Sequence, residues 1–245
     1  MSEIFLFSAA TTFAILGFGF VLGLKHATEA DHLAAVSTIV SERKSLWSST
    51  LIGGLWGLGH TISLFLAGIF VLLLDFKISE QTERALEFCV GIMLTFLGLN
   101  VLRKLLKGGK LHFHAHEHGV CEHVHPHIHA PGQQPETDSH HGLKFSPRAL
   151  VIGMVHGLAG SAFLMFLILQ TIESRIVGLF YVIVFGVGSI GGMMLMSFLV
   201  GLPFHFTAAK FNRLNYILQS VAGLFSIVWG LYIIYEKGVA QGLFG

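Results

Sequence analysis

Six stretches of this chain stay apolar over the roughly 17 to 25 residues that a bilayer crossing requires, at about 5 to 40, 47 to 74, 85 to 106, 148 to 171, 176 to 203 and 214 to 235. In lipid the backbone has no water to bond, so segments of this kind fold as helices or close into barrels. Runs this long and this continuously apolar are helical, and the expected fold class is an all-α polytopic membrane protein with six transmembrane helices. Composition agrees, because 53% hydrophobic and 12% charged residues exceed the apolar share of about 45 to 50% of a soluble domain. The start, Met1-Ser2-Glu3, lacks the basic leader of a signal peptide, so the first run is expected to stay as a span.

The halves on either side of the one long polar stretch are alike. Gly23-Leu24-Lys25-His26 matches Gly153-Met154-Val155-His156, Gly57-Leu58-Gly59-His60 matches Gly186-Val187-Gly188-Ser189, and Gly91 with Gly98-Leu99 matches Gly223 with Gly230-Leu231. The order is kept and the offset is nearly constant, which predicts an internal repeat. Residues 1–106 form one three-helix membrane repeat, 107–146 a flexible histidine-rich loop, and 147–245 the second repeat. Three spans per repeat invert the second copy in the membrane, a 3+3 arrangement whose sites fall at the repeat interface near the midplane.

Loop charge sets the expected orientation. One side carries Arg43, Lys44, Arg103, Lys104, Lys107, Lys110, Lys144, Arg148, Lys210 and Arg213, and the other only Lys77, Arg84, Arg175 and Lys237. The first side, with the histidine-rich loop, is expected in the cytoplasm and both termini outside, in a plasma membrane of bacterial inner-membrane type. A net charge of +1 with scattered Lys and Arg offers no basic face, so nucleic acid is excluded as a partner. Cys89 and Cys121 form no CxxC pair, which argues against a disulfide framework or a thiol-electron carrier.

Within the first span stands His26-Ala27-Thr28-Glu29-Ala30-Asp31-His32. Ionisable residues at membrane depth are costly and mark function, and imidazole with carboxylate is a ligand set for a borderline divalent cation rather than for calcium or magnesium. On an unbroken helix Asp31 would point roughly 140° away from His26. A break in the helix would let His26, Asp31 and His32 converge. The alternative is a polar helix end at the membrane interface. His60, in Gly59-His60-Thr61, is a candidate third imidazole or a residue orienting one, and otherwise a structural histidine; His156, the repeat partner of His26, completes the site or serves packing. His205, just after Pro203, is expected at the interface.

Ten of the fifteen histidines lie between 112 and 141: His112, His114, His116, His118, His123, His125, His127, His129, His140 and His141. With Pro126, Pro131 and Pro135 and few apolar residues, this segment cannot build a core. It is expected to gather metal weakly at several places on the cytoplasmic face, or else to be a solvating tether, and not to form the selective site.

At these residues the chain resembles the nickel/cobalt transporter family, including its NicO and urease-associated permease branches. The family motif H-A-x-D-A-D-H is met by His26 to His32 with Glu29 in place of the first Asp, the G-H-S/T element by Gly59-His60-Thr61, and the later element of the urease-associated branch by Val155 to Ser161. The resemblance implies transport of Ni²⁺, or of Co²⁺, with zinc behind, and His26, Asp31 and His32 as essential ligands. It leaves the role of Glu29 open. It also implies metallochaperones or urease and hydrogenase maturation proteins as partners. No prosthetic group is expected.

The expected function is therefore a secondary metal-ion permease and not an enzyme. Uptake is favoured over efflux because a negative interior draws a divalent cation inward, and no nucleotide-binding motif is present to drive export. The histidine-rich loop pulls the other way, since collecting metal inside suits an exporter. A further alternative is an intramembrane metal-dependent hydrolase, weakened by the absence of HExxH; a metal-responsive scaffold is another.

Overall fold

The computed structural model describes residues 2–43, 45–73, 79–107, 111–118, 121–128, 147–158, 165, 168–172 and 174–243. In chain order these form α1 (Ser2–His26), α2 (Ala30–Ser41), α3 (Leu46–Leu73), α4 (Glu80–Leu106), β1 (Leu111–His118), β2 (Cys121–Ile128), α5 (Pro147–Gly157), α6 (Arg175–Lys210) and α7 (Asn212–Tyr235), followed by a π-helical turn at Glu236–Ala240.

Helix ends follow local chemistry. Ser79 caps α4 by accepting the Thr82 N–H, Glu80 and Glu83 sit in its first turn, and Arg103 and Lys104 in its last, each charge opposing the nearer end of the helix dipole. Lys104 also pairs with Glu42 at 2.7 Å, which ties the end of α4 to the end of α2.

Among the described residues four helices are long and apolar enough to cross a membrane, or five when Thr11–His26 and Ala30–Ser41, bent by 56° at their junction, count as one broken span. Of the expected span 148 to 171, α5 covers 11 residues, and 159–164 with 166–167 lie outside the described residues. The first span is broken at the histidine motif. Large apolar side chains such as Phe96, Val228 and Ile176 are exposed around the helices, a surface that suits lipid and would be a liability in water.

The chief pairings are α3 with α6, α4 with α7, α1 with α6 and α3 with α5. Glycine makes these approaches possible. A methyl group at Gly23 would collide with the Phe185 carbonyl and lie within 2.8 Å of Ser189 N, and one at Gly153 would collide with the Trp56 carbonyl and lie 3.0 Å from His60 N. The same exchange holds between Gly59 on Leu150 and Gly188 on Phe20, and between Gly91 on Gly230 and Gly98 on Gly223. Each contact thus recurs with the halves of the chain swapped. The core between these helices is small and apolar, built on Ala34, Ala35, Val36, Trp56, Leu94 and Met193.

The histidine-rich segment differs from the linker expected. β1 and β2 pair antiparallel, with His112 opposite His127, His114 opposite His125 and His116 opposite His123. Alternation with a period of two is the pattern of a strand. His129, His140 and His141 lie outside the described residues.

Candidate metal centre

The site is made by the way α1 ends. Near the terminus the hydrogen bonding tightens: Thr28 N–H and Glu29 N–H donate to the carbonyls three residues back, of Lys25 and His26, at 2.8 and 3.1 Å. The Thr28 hydroxyl adds a second bond to the Lys25 carbonyl at 2.6 Å. Glu29 is then extended (φ −66°, ψ 151°), and α2 starts at once, with Leu33 N–H on the Glu29 carbonyl at 2.9 Å. Consequently His26 closes one helix while Asp31 and His32 open the next, and the residues that a straight helix would spread apart come together.

Asp31 organises two imidazoles. Its Oδ1 accepts the His32 N–H at 2.9 Å and faces His32 Nδ1 at 3.0 Å, while Oδ2 faces His156 Nε2 at 2.9 Å. A carboxylate that holds one ring nitrogen fixes the tautomer and leaves the other nitrogen as a bare donor. His32 Nε2 and His156 Nδ1 are those other atoms, and both are buried without a hydrogen-bond partner.

His26 and His60 make the second half. Glu29 Oε2 lies 3.1 Å from His26 Nδ1, and His26 Nε2 lies 3.1 Å from His60 Nε2. Nitrogen ligands at about 2.0 to 2.1 Å from one ion stand about 2.9 Å apart at a right angle and about 3.3 Å apart in a tetrahedron. The observed separation falls within that interval. His26, His32 and His60 each offer an atom within 4.8 Å of the others, as do Asp31, His32 and His156, so His32 is common to both groups that could hold a metal ion. His32, His60 and His156 are fully buried, His26 nearly so, and Glu29 is open at 40% exposure.

The surrounding helices fix these rings. Ser63 Oγ donates to the Met154 carbonyl at 2.8 Å and Thr61 Oγ1 to the Gly186 carbonyl at 3.2 Å, pinning α3 to α5 and α6 on either side of His60. Gly157 lies against the His60 backbone, where a Cβ would collide with its carbonyl. Trp56 walls the site, with its ring centroid 5.4 Å from that of His32 and 5.6 Å from that of His156. Sequence reasoning passed over Trp56, although it stands four residues before His60 and so on the same helix face. His205 is exposed on α6. A cavity of about 250 Å³ reaches the site at Glu29, Ala30 and Asp31.

The chain is 40% identical, over 94% of its own length and 95% of the relative's, to the urease accessory protein UreH of Bacillus sp. (strain TB-90). A shorter match, 32% identity over 71 residues, covers 29% of this chain and 20% of the high-affinity nickel transport protein of Cupriavidus necator. Chloroplast protein FOR GROWTH AND FERTILITY 2 of Arabidopsis thaliana is 27% identical over 89% of this chain, which spans 55% of that longer protein. No family profile matches the chain, and no solved structure does.

Proposed function

We propose that this chain, which belongs to the family of the urease accessory protein UreH, moves Ni²⁺ across a membrane through the buried histidine cluster at the α1–α2 break. The protein is an integral membrane transporter and not an enzyme, and the finer reading concerns its site, its direction and its symmetry. His26, His32 and His60 are the proposed ligands of the transported ion. His156 lies behind His32, and Asp31 positions His32 and His156. The observation that carries this is the approach of three buried imidazoles from three helices, two of them with a nitrogen that nothing else satisfies. Nitrogen donors of this kind suit nickel, cobalt and zinc and disfavour magnesium and calcium.

The swapped glycine contacts support two inverted three-helix repeats, with the cluster on their pseudo-twofold axis and alternating access around it. Ten basic loop residues on the hairpin side against four on the other support a cytoplasmic hairpin in a bacterial inner membrane. Uptake then proceeds down the membrane potential, which favours a divalent cation by about 4.6 kcal/mol per 100 mV. Efflux is the second reading, favoured by the histidine-rich hairpin on the cytoplasmic face.

The test is nickel flux in proteoliposomes of known protein orientation, with and without an imposed potential, competed by cobalt and zinc. Saturable nickel flux toward the hairpin side, driven by a potential negative on that side, is the expected result. Flux only away from that side would reverse the direction, and no flux in the intact protein would overturn the reading.

A further inference from the structure

The cavity that reaches the histidine site at Glu29 and Asp31 is also lined by residues that the chemistry above leaves unused. Beside Glu29, Ala30 and Asp31 it is lined by Glu87 of α4, by Glu236 and Lys237 of the π-helical turn, and by Trp229 and Tyr232. Directly behind Asp31 stand His32 and His156, each buried with an unpartnered ring nitrogen. Four acidic residues and one lysine therefore line a space of about 250 Å³, large enough to admit several water molecules.

The single ammonium is engaged. Lys237 Nζ lies 2.5 Å from Glu87 Oε2, with both side chains 19% exposed. The π-turn that presents Lys237 is itself tied down. Arg84 donates to the Gln241 carbonyl, and the Gln241 amide donates to Glu236 Oε1 at 3.2 Å. A π-helical turn at the end of an α-helix is uncommon and frequently functional; here it places Glu236 and Lys237 on the cavity.

We propose that this cavity is the mouth by which the metal ion reaches the histidines, and that Lys237, tethered to Glu87, is its selectivity gate. The inference rests on the transport reading above and names the route and the discriminating residue. The ammonium occupies the place of a cation in an acidic mouth. A divalent ion at the same distance from Glu87 interacts twice as strongly as a monovalent one, so it displaces Lys237 where sodium or potassium cannot. The mouth lies at the end of the bundle formed by the start of α4 and the end of α7, opposite the hairpin.

The experiment uses the full chain in proteoliposomes, with Cys89 and Cys121 replaced by Ser and Ala30→Cys as reporter. A membrane-impermeant cationic thiol reagent is expected to modify Ala30→Cys from the face opposite the hairpin, more slowly when Ni²⁺ is present. Glu87→Gln is expected to raise the KM for nickel about tenfold, since a focused field of this kind changes capture by factors of 10 or more, with maximal flux within about twofold. Lys237→Gln is expected to make nickel flux inhibitable by potassium at concentrations that leave the wild type unaffected. The exchange of Glu87→Lys with Lys237→Glu keeps the ion pair and serves as a folded comparison. Modification only from the hairpin side, no modification at all, or an unchanged KM in Glu87→Gln would overturn the proposal. These failures are distinct from failure of the transport reading, which would show as absent nickel flux in the wild type.

Discussion

Asp31 Oδ2 lies 2.9 Å from His156 Nε2, across 125 residues of sequence, so one carboxylate links the first histidine motif to α5. Its other oxygen is shared between the backbone N–H and the Nδ1 of His32. Asp31 is therefore placed to orient imidazoles, where the family resemblance assigned it a ligand's role. The two roles differ in what substitution does. Asp31→Asn keeps an oxygen for one histidine and loses the second acceptor, while Asp31→Ala loses both. Loss of a carboxylate behind a metal-binding histidine typically costs 10- to 100-fold in affinity. Nickel flux at limiting nickel is expected to fall by about that factor in Asp31→Asn and further in Asp31→Ala, with the protein still inserted. Wild-type flux in Asp31→Ala would remove this residue from the site.

His26 and His60 face each other through Nε2 at 3.1 Å, and a shared ion would make their contributions interdependent. His26→Ala and His60→Ala are each expected to reduce nickel binding at least tenfold, and the double variant to be little worse than either alone. Residues acting on one shared partner show this non-additivity. Equilibrium dialysis of the detergent-solubilised protein measures it. Fully additive losses would mean that the two rings serve different ions or none.

Much of this arrangement is legible in the sequence, for reasons that can be stated. A charged motif inside an apolar run has to be either at an interface or at a break, and the excess length of the first span pointed to the break seen between His26 and Ala30. His60 and His156 were visible as isolated imidazoles among small residues, and Gly59 and Gly157 are small because helix backbones touch there. What the sequence does not show is the direction of each nitrogen. That Asp31 bridges His32 and His156 depends on a three-residue turn and on the placement of α5. Glu87 and Lys237 were equally hidden, since each sits near a helix end where charges are ordinary. The hairpin was readable in principle from the alternation of His112, His114 and His116, but the prolines and the lack of apolar residues argued for a linker.

The swapped helix contacts make a prediction about stability. Gly153 and Gly23 have no room for a side chain, because a Cβ at either would collide with a backbone carbonyl, of Trp56 or Phe185. Neither obstacle is the end of a flexible side chain, so the helices have to separate. Gly153→Val and Gly23→Val are each expected to destabilise the protein by about 3 kcal/mol or more, at or beyond the usual range for overpacking. Gly17, in the same helix as Gly23, has no atom within 4 Å of the position a Cβ would take. Gly17→Ala is expected to be neutral or to stabilise by up to about 1 kcal/mol from helix propensity. Thermal unfolding in nanodiscs separates the cases, and equal melting of Gly153→Val and wild type would refute the close packing of α3 on α5.

The hairpin allows a last prediction, because its position in the chain separates gathering metal from moving it. Its strands join α4 to α5 outside the helices that hold the histidine cluster, and the register sets His112 opposite His127, His114 opposite His125 and His116 opposite His123. A histidine-rich segment of this kind is expected to bind borderline divalent cations weakly and to release them on acidification. Deletion of residues 112–141 is expected to change the apparent affinity for nickel by severalfold while leaving maximal flux within about twofold, and to abolish weak nickel binding outside the membrane domain. Titration calorimetry and flux assays on the same preparation test both halves. If a well-inserted deletion variant lost all flux, the hairpin would have to be part of the permeation path itself.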